Sequence, residues 1–243
     1  MKTNNNFFKG FKDGIPIGIG YLSVSFAFGI MAVSLGLSPA EALLISMTNL
    51  TSAGQLAGAP IIAAGGSFIE LAMTQLIINS RYALMSVSIS QKLDSKVNFL
   101  DRLLISFGNT DEIFAVSTSQ KENIGKLYFF GLMLFPWLGW SGGTILGAVA
   151  GSALPAIITT SLGVAIYAML IAVFVPKAKR HLPTALCVLT AVALSCCFKY
   201  LPFLSGFNES YGGFVIIICA VVASVIFALV APVKNEEVPE DEH

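Results

Sequence analysis

Six stretches of roughly twenty apolar residues run through this chain, and about twenty is the number a helix needs to cross the hydrocarbon core of a bilayer. They cover approximately Ile15–Leu37, Ser67–Ser90, Lys126–Val149, Ala156–Val175, Leu182–Phe198 and Gly212–Val230. Only 12% of the residues are charged while 55% are hydrophobic, and that is about half the charge of a soluble domain. A fold in water could not cover itself with so little charge, whereas in a bilayer apolar side chains face lipid tails. The expected fold is therefore an all-α, polytopic helical membrane protein with about six full spans. The first stretch is too long for a signal-peptide core and reads as an uncleaved span. The expected layout is a cytoplasmic segment over residues 1–12, a single transmembrane domain over 13–231 and an acidic cytoplasmic tail over 232–243. A formal net charge of zero excludes a basic nucleic-acid footprint. No G-x-x-x-x-G-K-[ST] loop occurs, so nucleotide hydrolysis by that route is excluded and no cofactor is implied.

Two further segments, Ser38–Ala64 and Phe99–Ser119, are apolar but interrupted. The first breaks around Asn49, Thr51, Ser52, Gly54 and Gln55, the second at Gly108-Asn109-Thr110-Asp111-Glu112. Polar, glycine-containing backbone survives at membrane depth only when it is buried in protein or lines a wet cavity. The basic residues fall into four clusters: Lys2/Lys9/Lys12, Lys92/Lys96/Arg102, Lys121/Lys126 and Lys177/Lys179/Arg180. All four lie on the cytoplasmic side, as the positive-inside rule demands, if both interrupted segments are re-entrant. Six crossings then leave both termini in the cytoplasm. A faint repeat relates Gly29–Ser46 to Gly143–Ser161.

Gly139, Gly143, Gly147 and Gly151 recur every fourth residue, as do Gly10, Gly14 and Gly18. Such faces let helix backbones approach closely, either within the chain or against another subunit. Glu41 and Glu70 follow Ser38 and Ser67 at capping-box spacing and read as helix caps. Arg81 lies too deep in its span to snorkel easily, so it needs an acceptor, and Asp111 and Glu112 are the candidates. Asn109 or Thr110 would cap a helix restarting at those acids. Cys187, Cys196, Cys197 and Cys219 show no metal or redox spacing and read as small buried hydrophobes. Gly139-Trp-Ser141-Gly-Gly143 fits a serine-nucleophile pattern, but the only non-terminal histidine, His181, sits at a predicted helix end beside a basic loop. Non-enzymatic chemistry is expected, and no metal site.

Taken in order, Gly36-Leu-Ser38-Pro-Ala-Glu-Ala42, Ala53-Gly-Gln55, Ile78-Asn79-Ser-Arg81-Tyr82 and Thr110-Asp-Glu112 resemble the AzlC-type branched-chain amino acid permease family over roughly Phe11–Val175. Two departures stand out. Ala-Gly-x-Ala-Gln is commoner in that family than Ser52-Ala-Gly-Gln55, and histidine is common where Tyr82 stands, which weakens any proton relay there. The resemblance implies an inner-membrane exporter of valine, leucine or isoleucine working with a small AzlD-like subunit of about four helices, which the glycine faces could contact. On this reading Asn49, Ser52, Gly54, Gln55 and Asn79 bind substrate, with Gln55 and nearby backbone on the carboxylate. Asp111 or Glu112 takes the ammonium or a proton, and Arg81 pairs with Asp111. The alternatives are a passive channel for small neutral solutes and an intramembrane serine protease using Ser141.

Overall fold

The computed structural model describes residues 3–151, 171, 175, 178–179, 181–210 and 212–231. The expected span Ala156–Val175, all but one residue of the cluster Lys177/Lys179/Arg180, the second half of the expected repeat and the acidic tail lie outside the described residues or largely so. The chain forms two compact units, residues 1–170 and 171–243.

In the first unit α1 (Phe7–Ser34) and α7 (Lys126–Gly151) form the central pair. Helix α1 starts eight residues before the apolar stretch does, because Asn6 caps it by accepting from the Lys9 backbone N–H at 3.2 Å. Glycine brings the two backbones together. A Cβ on Gly147 would strike the Phe26 carbonyl, and one on Gly29 would strike the Thr144 carbonyl. Gly139 and Gly143 face α1 in the same way, whereas Gly151 has ordinary room, with Ile30 at 3.4 Å. The glycine faces are thus spent on each other, which is the within-chain packing, one of the two expected uses. Gly147→Val should separate the pair, since overpacking costs about 1–3 kcal/mol even where side chains can yield, and here the obstacle is backbone. Gel filtration in detergent should show Gly147→Val aggregated and Gly142→Ala unchanged, because Gly142 faces open space.

Between α1 and α7 run α2 (Pro39–Thr48), α3 (Ser52–Ala63), α4 (Phe68–Lys92), α5 (Phe99–Phe107) and α6 (Asp111–Thr118). Two corners share one construction. After α1, Gly36 at φ 94° lets its N–H reach Val33 O and the Leu37 N–H reach Ala32 O. After α3, Gly65 at φ 66° repeats the pattern onto Ile62 O and Ile61 O. Only glycine adopts this conformation cheaply, and the double bond closes the helix end. Each corner is followed by a serine cap. Ser38 and Glu41 form a full capping box, and Ser67 accepts from the Glu70 N–H at 3.1 Å.

The contacts fix where each segment turns. Thr3–Asn4 (β1) pairs in parallel with Asn123–Ile124 (β2), and Leu93 bridges to Ile124. The start of α1, the end of α4 and the start of α7 therefore share one end of the unit. Helices α1 and α4, of 28 and 25 residues, are about 42 and 37 Å long, so the α1–α2 and α3–α4 corners lie at the other end. The pair α2–α3 enters from that far end and returns to it. The pair α5–α6 does the same from the near end, where Lys9 Nζ donates to Gln120 Oε1 at 2.8 Å. A long helix followed by a broken hairpin thus occurs twice in opposite directions, an inverted repeat of the kind transporters use. This repeat relates α1–α3 to α4–α6; the repeat expected between Gly29–Ser46 and Gly143–Ser161 runs beyond the described residues. An apolar cluster lies under each hairpin. Phe28, Ala32, Ala42, Ala59 and Ala148 back the first, and Ile89, Ile105, Ile113, Tyr128 and Leu132 back the second.

The second unit contains α8 (Leu182–Tyr200), α9 (Pro202–Ser210) and α10 (Gly212–Val230). Val215, Cys219 and Ala223, one turn apart, form the buried stripe of α10. Cys219 is buried as expected, but Cys196 and Cys197 are exposed, because no residue of α8 is buried within the chain. Exposed apolar residues such as Phe68 (91%) and Leu229 (78%) fit a surface whose solvent is lipid. This is an all-α membrane protein.

Candidate functional site

Both breaks are real interruptions of helix, and both restart on threonine. Residues 49–51 separate α2 from α3, and Thr51 Oγ1 accepts from the Gly54 N–H at 3.3 Å. Residues 108–110 separate α5 from α6, and Thr110 Oγ1 accepts from the Ile113 N–H at 3.4 Å. Thr110, of the two expected candidates, is the cap. Two half-helix N-termini therefore sit at the middle of the unit, each presenting backbone N–H groups with positive helix-dipole ends.

The first break is closed by a clasp centred on Gln55. That residue lies in the first turn of α3, not in the break itself, and is 1% exposed. Its Nε2 donates to the Asn49 carbonyl. Its Oε1 accepts from Trp140 Nε1 at 3.1 Å and from Ser46 Oγ at 3.4 Å. Trp137 Nε1 donates to the Met47 carbonyl at 3.0 Å, so α7 satisfies the end of α2 as well as Gln55 on α3. These bonds are what permits irregular backbone at this depth. Gln55 can meet a carboxylate, as expected from sequence, only when this clasp opens.

Helix α4 lines the break on its other side. Gln75 Nε2 donates to Gly54 O at 2.8 Å, and its Oε1 accepts from Asn79 Nδ2 at 3.1 Å and Asn49 Nδ2 at 3.4 Å. Gly54 is glycine because Gln75 and Asn79 lie against its α-carbon, where a Cβ would sit 2.6 Å from Gln75 Oε1. The Asn79 Oδ1 is buried without a partner among the described residues. Ser52 borders a small void with Val24, Phe28, Leu56 and Trp140.

The second break holds the charges. Arg81 Nη1 lies 2.6 Å from Asp111 Oδ2, and the side chains are 40% and 45% exposed. A half-exposed ion pair cannot face hydrocarbon, because charge at that depth is expensive unless water or polar groups surround it. Arg81 Nη2 also donates to the Tyr82 hydroxyl at 3.0 Å, with the guanidinium over the Tyr82 ring at 4.8 Å. Glu112 is not paired with Arg81. It accepts instead from Tyr21 Oη, and with that one proton committed to the carboxylate, Tyr21 Oη accepts from the Thr110 hydroxyl at 2.7 Å. The Tyr21 ring meets Trp140 edge to face at 5.2 Å. Gln55, Trp140, Tyr21 and Glu112 thus link one break to the other.

Sequence reasoning singled out the two breaks, Arg81 and both acids, and the structure brings these together with Asn49, Gly54 and Asn79. It missed Tyr21, Gln75 and Trp140. Gln75 carried a signal, being a polar residue one helical turn before Asn79 in an apolar stretch. Tyr21 and Trp140 carried none, because aromatic residues within a span ordinarily pack or face lipid. Ser141 is buried, and its Oγ has no hydrogen-bond partner among the described residues. Nothing joins it to a base.

A family model described as AzlC protein matches residues 16–154. The inner membrane protein YgaZ of Escherichia coli is 33% identical over 61% of this chain and 62% of its own length. The chain therefore matches somewhat less than two thirds of that relative. An uncharacterized membrane protein of Archaeoglobus fulgidus is 34% identical over 74% of this chain and 80% of its own length. The branched-chain amino acid transport protein AzlC of Bacillus subtilis is 26% identical over 96% of this chain and 88% of its own length. No solved structure matches the chain.

Proposed function

We propose, from the premise that this chain belongs to the AzlC protein family of membrane transport proteins, that it exports branched-chain amino acids across the cytoplasmic membrane. The observation that carries the reading is the meeting of two broken hairpins, inserted from opposite ends, around one ion pair. Substrate lies between the half-helix N-termini. Its carboxylate takes the backbone N–H groups of Ser52 and Ala53 at the start of α3, ahead of the Gly54 N–H that Thr51 caps, with Asn49 and Asn79 beside it. Its ammonium goes to Asp111 or Glu112, and Arg81 holds Asp111 in place until substrate competes for it. A branched side chain packs on the apolar wall of Val24, Phe28 and Leu56. One methylene changes such affinity by only about 1–3 kcal/mol, so valine, leucine and isoleucine are all accepted.

On this reading both termini are cytoplasmic. Three basic clusters fall at the shared end marked by the β1–β2 pairing, as the positive-inside rule requires. A small AzlD-like subunit completes the transporter and contacts surfaces other than the glycine faces. The test is efflux of radiolabelled valine from preloaded cells, with this chain alone and together with the small subunit. Efflux against a gradient that needs both chains supports the exporter. Flow only down the gradient would instead make the protein a channel.

A further inference from the structure

The inverted repeat places two tyrosines at the same position in its two halves. Tyr21 lies fifteen residues past Asn6, the cap of α1, and Tyr82 lies fifteen residues past Ser67, the cap of α4. Each ring therefore leaves its helix about 22 Å from the capped end, at the level of the breaks. Each reaches the hairpin of the other half. Tyr21 Oη accepts from the Thr110 hydroxyl at 2.7 Å and donates to Glu112, both at the restart of α6. Tyr82 Oη stands against the Thr51 side chain at the restart of α3 and accepts from Arg81 Nη2 at 3.0 Å. The two threonines are equivalent as well. Each caps its half-helix through its hydroxyl oxygen and so keeps its hydroxyl proton for a tyrosine.

The pattern is crossed: α1 holds the start of α6, and α4 holds the start of α3. Alternating access moves one half of an inverted repeat against the other around a fixed site, so a contact that closes one side has a twin that closes the other. We infer that Tyr21 and Tyr82 are paired positioning residues of the transport cycle, Tyr21 latching the α5–α6 hairpin at the near end and Tyr82 latching the α2–α3 hairpin at the far end. Each acts through the threonine that fixes a half-helix N-terminus, and neither needs to touch substrate. A hairpin that enters from one end opens a path to that end when its tip is released, so loss of either latch is one-sided. The inference rests on the transport reading above and gives its two sides separate residues.

The test uses the full chain carrying Ser52→Cys, a half-buried position at the restart of α3. A membrane-impermeant methanethiosulfonate reagent is added to right-side-out or to inside-out membrane vesicles. Mass spectrometry of the peptide holding position 52 separates its modification from that of the four native cysteines. Tyr21→Phe should raise the ratio of the cytoplasmic-side rate to the outer-side rate by about two- to tenfold, the population shift set by loss of one hydrogen bond. Tyr82→Phe should move that ratio the other way, and by less, because Gln75 still holds Gly54 O. Combining the two should bring the ratio back toward that of the parent, which general loosening of the fold could not do. Shifts of both variants in one direction, or a ratio that neither moves, would overturn the latches. Labelling needs no substrate, so the two readings fail separately. Opposite shifts without valine efflux would keep the latches and remove the substrate assignment, whereas valine efflux without opposite shifts would remove the latches alone.

Discussion

Asp111→Asn is expected to cut valine efflux by about ten- to a hundredfold if the acid carries the substrate ammonium, and to the background of cells lacking the protein if it carries a coupled proton, while membrane expression stays unchanged. A charge-assisted contact made at every turnover is worth about 1.5–3 kcal/mol, and losing a coupled proton site would stop transport altogether. The stability cost should be small. Half-exposed ion pairs are worth only about 0–1 kcal/mol where water reaches them, and Asp111 is 45% exposed. Thermal unfolding of the purified variant should therefore shift by a few degrees at most. Loss of the folded protein would instead mean that the pair is a structural lock.

Gln55→Leu should behave in the opposite way and lose stability first. The leucine would leave the Asn49 carbonyl and the Trp140 N–H unpaired, where Gln55 now serves both from a position 1% exposed. Each orphaned buried group costs about 1–3 kcal/mol, so the sum is about 2–6 kcal/mol, enough to open the first break in much of the population. A large drop in the unfolding temperature is expected, with transport falling in parallel. Ser46→Ala removes the 3.4 Å bond to Gln55 and a 2.7 Å bond to Thr144 Oγ1, whose hydroxyl still donates to Trp140 O, and should cost about 1–2 kcal/mol, less than Gln55→Leu. A stable Gln55→Leu protein that no longer transports would return Gln55 to the substrate contact that its sequence context suggests.

The two variants show what the sequence could and could not reveal. The breaks were legible because polar residues and glycine interrupt long apolar runs at Asn49–Thr51 and Gly108–Thr110, and the bilayer allows few reasons for that. The cap at Glu41 was legible from spacing alone. The place of Gln55 was not. It turned on whether the helix restarts at Thr51 or beyond Gln55, and Thr51 wins because its hydroxyl reaches the Gly54 N–H. The Arg81–Asp111 pair could be named but not separated from Arg81–Glu112. Tyr21, which takes Glu112 away, lies 91 residues from it in sequence. The inverted repeat escaped notice because it is a repeat of topology, with a long helix and a broken hairpin running each way, and little in the residues repeats beyond a tyrosine in each long helix and a threonine at each restart.

The central claim is that the Arg81–Asp111 pair belongs to the transport site and is more than a brace between α4 and α6. Valine efflux by the Arg81→Asp, Asp111→Arg double variant tests it most directly. The exchange restores an ion pair of the same reach but turns the negative group away from the start of α6. The account predicts a folded, membrane-inserted protein with efflux at background. Efflux restored to the unmodified level by the double variant, where Asp111→Asn alone had lost it, would show a purely structural pair and contradict the account.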